Sequence, residues 1–329
     1  MLNPFEKISI PNDPETVIKT ILNRIPKING NTPKDREIRR IKYVVEQVRK
    51  YRVFLDTFPK ISDLHPFYRE LLEITSGDIG HFQRCLSAIR KSVLLAEKLS
   101  DEYISLIKRD PQNRPNKYMR QYVGRVFSVL RKRKECIDLV IRISKELKKL
   151  QTIDPYLPTI IVAGPPNVGK SSLVSKISSA KPEIASYPFT TKEIHVGHIT
   201  SGILTVQVID TPGILDRPMK DRNVVELKAI NAIKNLNGII LFLFDASNSS
   251  MYTYKEQLDL YREIMGLGKV VIPVINKIDD LNEELYNAIK NEIKNEQIFE
   301  ISAEKNTGIN ELLNYALKLL SKQSEVLDN

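Results

Sequence analysis

The sequence predicts an all-α, antiparallel helical bundle over residues 1–153, a linker at 154–158, and an α/β unit with a mostly parallel sheet and flanking helices over 159–329. Three observations predict this. Up to about Leu150, apolar residues recur at helical spacing. After Thr159, short apolar runs alternate with helical stretches, as a parallel sheet with crossover helices requires. At the junction, Gly164-Pro165-Pro166-Asn167-Val168-Gly169-Lys170-Ser171 fits G-x-x-x-x-G-K-[ST] between a strand-like run, 159–163, and a helix start at Ser172.

The front half reads in order as follows. Asp13 is an N-cap and Pro14 the first helical position of a helix whose apolar positions are Val17, Ile18, Ile21, Leu22 and Ile25. Thr32-Pro33 opens a second helix running to about Phe58-Pro59, with Ile38, Ile41, Val45, Val48 and Leu55 inward and Arg36, Arg39 and Arg40 among its outer cations. A short helix follows His65-Pro66 and stops near Ser76-Gly77. A long one runs from about Asp78 to Arg109, where Asp110-Pro111 breaks it. The last runs from about Pro115 to Leu150 on a stripe of Val123, Val126, Leu130, Ile137, Val140 and Leu147, interrupted by Arg133. Asp154-Pro155-Tyr156-Leu157-Pro158 then delivers the chain into the first strand.

The 329 residues carry a net charge of +10, unevenly placed. Residues 1–155 hold 32 Lys+Arg against 19 Asp+Glu, so the front half is +13 and the rest −3. This asymmetry points to a polyanionic partner for the front half. Its last helix concentrates the charge: Arg114, Lys117, Arg120, Arg125, the run Arg131-Lys132-Arg133-Lys134, then Arg142, Lys145, Lys148 and Lys149. Cations on a long rigid helix can track an RNA backbone. Tyr118 and Tyr122 among them are read as bundle packing rather than base stacking. No apolar stretch approaches the roughly 20 residues of a membrane span, and no secretory signal opens the chain. Cys85 and Cys136 lie far apart, with no metal-type spacing and no disulfide framework, so a reducing cytoplasm is the expected compartment.

In the back half, strands are expected at 159–163, 193–199, 204–209, 239–245, 270–275 and 297–301, and helices at 170–179, 222–235, 254–265, 283–293 and 308–320. The second and third strands flank Ser201-Gly202 as an antiparallel hairpin at the sheet edge. The Gly-rich loop can turn the N–H groups of Asn167, Val168, Gly169, Lys170, Ser171 and Ser172 around phosphate at a helix N-terminus. Lys170 offers a point charge to the β- and γ-phosphates, and the Ser171 hydroxyl can ligand Mg²⁺. Asp210-Thr211-Pro212-Gly213 ends a strand: Asp210 can hold Mg²⁺, and the Gly213 N–H can sense a γ-phosphate. In Asn276-Lys277-Ile278-Asp279, the Asp279 carboxylate can accept from both N1–H and the 2-amino group of guanine, a donor pair adenine lacks. Ser302-Ala303-Glu304 can meet the guanine O6 through its backbone. In Tyr187-Pro188-Phe189-Thr190-Thr191, Thr191 is the expected metal and γ-phosphate ligand, with Thr190 the alternative. Lys170, Thr191 and Gly213 are the expected catalytic groups, Ser171, Thr191 and Asp210 the metal ligands, and GTP/GDP with Mg²⁺ the cofactors.

These motifs in this order make the fold class an α/β P-loop GTPase domain preceded by the helical bundle. The back half resembles an Obg-type GTPase, and the whole chain resembles the nucleolar GTP-binding protein (Nog-type) family in its short archaeal form. The stretches that carry the likeness are YPFTTKEIHVGH and VIDTPGILDRP, with GPPNVGKSS and the Ile153-Asp154-Pro155 linker. The resemblance implies a GTP-to-GDP switch in assembly of the large ribosomal subunit precursor, with the helical domain on ribosomal RNA. It implies a cytoplasmic monomer without membrane or DNA partners. Eukaryotic members carry a long C-terminal extension absent from this sequence, so contacts of that extension are not carried over. One departure from Ras-like enzymes concerns the position after Gly213. Ile214 stands where those enzymes place a water-orienting Gln, so hydrolysis by the chain alone is expected to be slow. This keeps open a reading as an RNA-binding scaffold with incidental turnover; a GTPase acting on a protein or membrane partner is the remaining alternative. His195 and His198 fall on opposite faces of a strand and do not share a metal; His65 and His81 have no matching partners.

Overall fold

The computed structural model describes residues 3–149, 153–186, 193–202, 204–211, 215–216, 224–294 and 296–327. The chain divides into two compact units, one of Asn3–Leu64 and Thr75–Lys149, the other of His65–Ile74 and Leu150–Asn329.

The first unit is helical: α1 (Pro14–Arg24), α2 (Pro33–Thr57), α4 (Ile79–Arg109), α5 (Pro115–Lys132) and α6 (Lys134–Lys148). Local chemistry sets the starts. Asp13 accepts from the Thr16 N–H at 3.0 Å and Thr32 from the Asp35 N–H at 3.1 Å, each just ahead of a proline at the first helical position. Cross-helix contacts fix the directions. Lys34 reaches the Asp110 carbonyl, Arg49 meets Glu97 and Arg90 meets Asp56, so α4 runs antiparallel to α2. Tyr122 donates to the Ala96 carbonyl at 3.3 Å with its ring 6.0 Å from Tyr103, so this tyrosine packs the bundle. Phe5, Phe54 and Phe82 surround Phe58 with ring centroids 5.5–6.0 Å away.

Two expectations are corrected here. The single helix from Pro115 to Leu150 is two helices, broken at Arg133, whose φ of −107° and ψ of 9° leave the helical region. Arg133 stands in the apolar stripe between Leu130 and Ile137, and the break leaves it half-buried instead of fully enclosed. Cys85 and Cys136, read as giving no disulfide, are joined: α4 and α6 pack together and bring residues 51 apart in sequence to a Cα separation of 5.0 Å.

The second unit holds α3 (Pro66–Ser76) up to Ile74 and a seven-stranded sheet. Its strands are β1 (Thr159–Ala163), β2 (Glu183–Ser186), β3 (Glu193–Ser201), β4 (Leu204–Asp210), β5 (Gly238–Asp245), β6 (Val271–Asn276) and β7 (Phe299–Glu300), in the order β2-β3-β4-β1-β5-β6-β7. The β3 strand pairs antiparallel with β2 and β4; every other pairing is parallel. The helices are α7 (Lys170–Ile177), α8 (Val224–Lys234), α9 (Tyr254–Met265), α10 (Glu283–Glu292) and α11 (Ile309–Leu327). All five residues of β1 and all eight of β5 are buried, as strands covered on both faces must be. The edge strand β2 was not anticipated, because four residues give too little pattern. From β4 the chain crosses β1 to reach β5, which makes the carboxyl end of β1 the switch point where such sheets bind ligands. Gln207 ties the linker to this sheet: its side chain accepts from the Asp154 N–H at 2.9 Å and donates to the Asp154 carbonyl and the Thr159 hydroxyl. The α3 segment packs on the same linker, with Tyr68 donating to the Ile153 carbonyl and His65 edge-on to Tyr156.

Candidate functional site

The loop after β1 is shaped by close approach. Gly164 has φ of 136°, and a Cβ there would lie 2.5 Å from the Leu243 carbonyl oxygen. Gly169 has φ of 97°, and its Cβ would lie 2.3 Å from the Asn276 amide nitrogen. No other residue type fits either position. Asn167, at φ of 64°, takes the left-handed conformation that Asn tolerates best among residues with a Cβ. The loop closes on itself through Lys170, whose buried Nζ donates to the carbonyls of Gly164 at 2.8 Å and Pro165 at 2.7 Å. Burial pushes this amine below its ordinary value, while the carboxylates of Asp216 and Asp210 work to keep it charged. A desolvated cation inside a glycine-rich loop at the start of α7 is the chemistry a phosphate group completes.

Beside it the Ser171 hydroxyl donates to Asp210 Oδ2 at 2.5 Å. Asp210 is fully buried at the end of β4, and its Oδ1 has no hydrogen-bond partner among the described residues. A buried carboxylate oxygen left unpaired next to a hydroxyl is an all-oxygen donor set of the kind Mg²⁺ takes, so the residues present fit that ion. His195 Nδ1 lies 3.3 Å from the same Oδ2. The segment after β4 returns to the loop: Thr211 donates its hydroxyl to the Val162 carbonyl, and the Gly164 N–H donates to the Leu215 carbonyl. Thr190, Thr191, Gly213 and Ile214 lie outside the described residues.

Two further loops meet the first one. Asn276, at the end of β6, donates to the Val168 carbonyl at 2.8 Å and accepts from the Ala303 N–H at 2.9 Å. Its amide therefore joins the phosphate loop to the Ser302-Ala303-Glu304 loop, a positioning role between protein segments. Lys277 sits at φ of 62°, its Nζ donating to Asp245 Oδ2 at 2.7 Å. Asp245, buried at the end of β5, accepts on its other oxygen from the Ser247 hydroxyl and N–H. Asp279 is exposed on the turn that follows, and a hydrogen bond from Ser302 holds its carboxyl below the usual range, with Lys305 and Lys277 adding to the effect. A cleft of about 240 Å³ is lined by Gly169, Ser172, Lys277, Asp279, Ala303 and Glu304, residues contributed by all three loops.

Asp245 and His195 were missed from sequence. Asp245 obeys the same rule as Asp210, a carboxylate at the carboxyl end of a parallel strand. His195 follows from counting back from the hairpin turn, where Ser201 opposite Leu204 places His195 opposite Asp210.

Comparison with known proteins agrees with this layout. Residues 5–154 match a family described as the NOG1 N-terminal helical domain, and residues 159–299 match the 50S ribosome-binding GTPase family. An uncharacterized Methanocaldococcus jannaschii protein is 38% identical over 298 residues, covering 86% of this chain and 83% of that one. Nucleolar GTP-binding protein 1 of Drosophila melanogaster is 35% identical over 293 residues, 86% of this chain and 45% of the fly protein. The chain belongs to the nucleolar GTP-binding protein 1, or Nog1, family. The Saccharomyces cerevisiae Nog1 protein is 34% identical over 301 residues, 88% of this chain and 46% of the yeast protein. The chain thus spans less than half the length of these two eukaryotic relatives. A crystal structure assigned to the Plasmodium falciparum protein of the same name is 34% identical, covering 54% of this chain and 94% of that one at a TM-score of 0.47. As a Nog1-family member the chain is a GTP-binding protein whose GTPase-family domain follows a helical one. No helix among its described residues is long and apolar enough to cross a membrane.

The Asn276 bridge makes a testable demand on this Nog1-family fold. Asn276→Ala strands a buried carbonyl and a buried N–H, at about 1–3 kcal/mol each. The nucleotide-free protein is expected to lose about 2–4 kcal/mol of stability in urea titration, and GTP and GDP affinity should fall together. A variant of unchanged stability would mean that the two loops are held by something else.

Proposed function

We propose that this chain is a Mg²⁺-dependent GTPase that switches between GTP and GDP states during large ribosomal subunit assembly, with its helical half on ribosomal RNA. The observation that carries the nucleotide reading is the convergence of three loops on one cleft, with a desolvated Lys170 and an unpaired Asp210 oxygen beside it. In this reading the N–H groups of Asn167 through Ser172 and the Lys170 ammonium hold the β- and γ-phosphates. Asp279 reads the guanine edge, with Lys277, Ser302, Ala303 and Glu304 around the base. Ser171, Asp210 and Thr191 would hold Mg²⁺, which when bound neutralises phosphate charge. Loss of the γ-phosphate releases Thr191 and Gly213, and that release is the switch. Ile214 cannot orient water, so the chain hydrolyses slowly until a ribosomal partner supplies the missing group. The +13 charge of residues 1–155 and the matched family descriptions support the RNA and ribosome part.

Recovery of the full-length protein from its own cells, followed by sequencing of the RNA that accompanies it, tests the partner. Large-subunit ribosomal RNA enriched over a Lys170→Ala control is expected; no enrichment sinks the assembly role. The switch has its own test. Thr191→Ala should spare GDP affinity and reduce discrimination for a non-hydrolysable GTP analogue about tenfold. If Thr190→Ala does this instead, the ligand is one residue earlier. If neither does, turnover is incidental and the chain is a nucleotide-stabilised scaffold.

A further inference from the structure

The helical unit treats its cations in two ways. On α2 and α4 exposed guanidinium groups face carboxylates: Arg39 meets Asp35 at 3.0 Å, Arg49 and Arg52 share Glu97 at 2.9 and 3.0 Å, and Arg90 meets Asp56 at 3.4 Å. Lys42, Lys91, Lys108 and Arg109 of these two helices make no ion pair among the described residues, but only α5 has no carboxylate of its own to meet its cations. Between Asp110 and Glu135 the sequence has eight Lys and Arg and no acidic residue. Met119, Tyr122, Val126 and Leu130 turn inward, so helical spacing puts Lys117, Arg120, Arg125, Arg131 and Lys132 together on the exposed side. Lys117, Arg120 and Lys132 make no ion pair among the described residues. Arg131 has only a 3.7 Å contact with Glu15, and Arg125 lies over the Tyr103 ring at 5.8 Å.

Along the middle of this face Lys117 is followed by Gln121, Gly124 and Ser128, all exposed and the last three uncharged. Arg120 and Arg131 flank it on one side, Arg125 and Lys132 on the other. Gly124 is the informative residue. It is interior to an 18-residue helix, where glycine weakens the helix relative to alanine. A Cβ there would meet nothing within 4 Å, so neither packing nor backbone angle requires glycine. The helix carries a weakening residue that the fold does not need, at the centre of a face of like charges.

We propose that this face of α5 seats duplex RNA, its phosphates taken by the two flanking rows of cations and its backbone lying close over Gly124. The inference rests on the reading of the helical half as RNA-binding and says which surface does it. Over the 16 residues from Lys117 to Lys132 the face is about 22 Å long. Five cations in that length repel one another unless met by a dense, regular row of anions, which a nucleic-acid backbone is. The RNA double helix is recognised through phosphates and shape, which suits a rigid helix with no base-reading aromatic on that side. An anionic membrane fits less well, because the face offers no apolar side chain for the acyl boundary.

The test uses the full-length protein and a fluorescein-labelled RNA duplex of about 20 base pairs, with anisotropy titrations from low to high KCl. The parent is expected to bind with a log–log salt slope of roughly −3 to −5. K117Q/R120Q/K132Q should flatten the slope by about two to three and leave GTP binding unchanged. Gly124→Gln should leave Tm equal or higher and lower RNA affinity about tenfold without changing the slope, a combination that misfolding cannot produce. R39Q/R49Q on α2 removes cations that are already paired and should move the slope by less than one. If the α2 variant flattens the slope and the α5 triple variant does not, the face is wrong and the RNA reading stands. Failure of the parent to bind the duplex at low salt overturns both. Preference of the parent for phosphatidylserine vesicles, lost in the α5 triple variant, would assign the face to a lipid surface instead.

Discussion

Lys170→Ala is expected to cost GTP and GDP roughly a thousandfold in affinity each, about 4 kcal/mol. The amine is buried, sits at the start of α7 and already donates to two carbonyls of the loop it closes, so its third donor and its charge are what a phosphate would meet. Isothermal titration with each nucleotide measures the loss. The effect should be nearly equal for the two nucleotides if the β-phosphate contact dominates, and larger for GTP if the γ-phosphate contact does. Stability should move little, because the alanine removes a desolvated charge along with its two hydrogen bonds. A pH signature distinguishes this from damage. Burial places the folded-state value of Lys170 below its ordinary 10.5, so between the two values the unfolded chain binds more protons. The nucleotide-free parent therefore gains stability as pH rises through that window, and the alanine variant should lack this gain. Ser171→Ala is the companion variant: it should weaken nucleotide binding only when Mg²⁺ is present. An alanine at position 170 that left both affinities within a few-fold of the parent would remove Lys170 from the site.

Some of this architecture is legible in the chain because single residues carry it. Asp13-Pro14 and Thr32-Pro33 announce helix starts through one side-chain acceptor and one missing N–H. Gly164 and Gly169 are required by positive φ and close approach, which no other residue supplies. What the sequence hides depends on pairing. Arg133 interrupts an apolar stripe, and whether a helix bends or breaks there depends on what packs against it. Cys85 and Cys136 meet because α4 and α6 are neighbours, a tertiary fact that spacing does not contain. The bridging role of Asn276 is hidden in another way. The motif points to the base, yet both hydrogen bonds seen here go to other loops, joining Val168 to Ala303. Part of the ion pairing is hidden in the same way: Arg49 and Arg52 look as basic as the α5 residues until α4 brings Glu97 to them, whereas Arg36, Arg39 and Arg40 have Asp35 and Glu37 within four residues in the sequence.

Asp279→Asn is expected to exchange base preference from guanine to xanthine, lowering GTP affinity on the order of a hundredfold or more and raising that of xanthosine triphosphate by a similar factor. A carboxylate accepts from both the N1–H and the 2-amino group of guanine. An amide offers one acceptor and one donor, and so matches the N1–H and 2-oxo group of xanthine. The penalty for GTP is large because the amide sets a donor against a donor, and neither finds a partner once water is excluded. Placement supports this role: Asp279 lines the same cleft as Gly169 and Ala303, and the Ser302 hydroxyl holds its carboxyl below the ordinary carboxylate range. Because the folded-state value lies below the ordinary 3.8, the acceptor pair should persist as pH falls, and protonation of Asp279 should not lower the parent's GTP affinity between pH 8 and about pH 5. Competition binding of the two triphosphates, at several pH values, measures both effects. A variant that kept the parent's preference would show that the base is read elsewhere, and Asp280 and Glu304, the further carboxylates lining the cleft, would be the next residues to change.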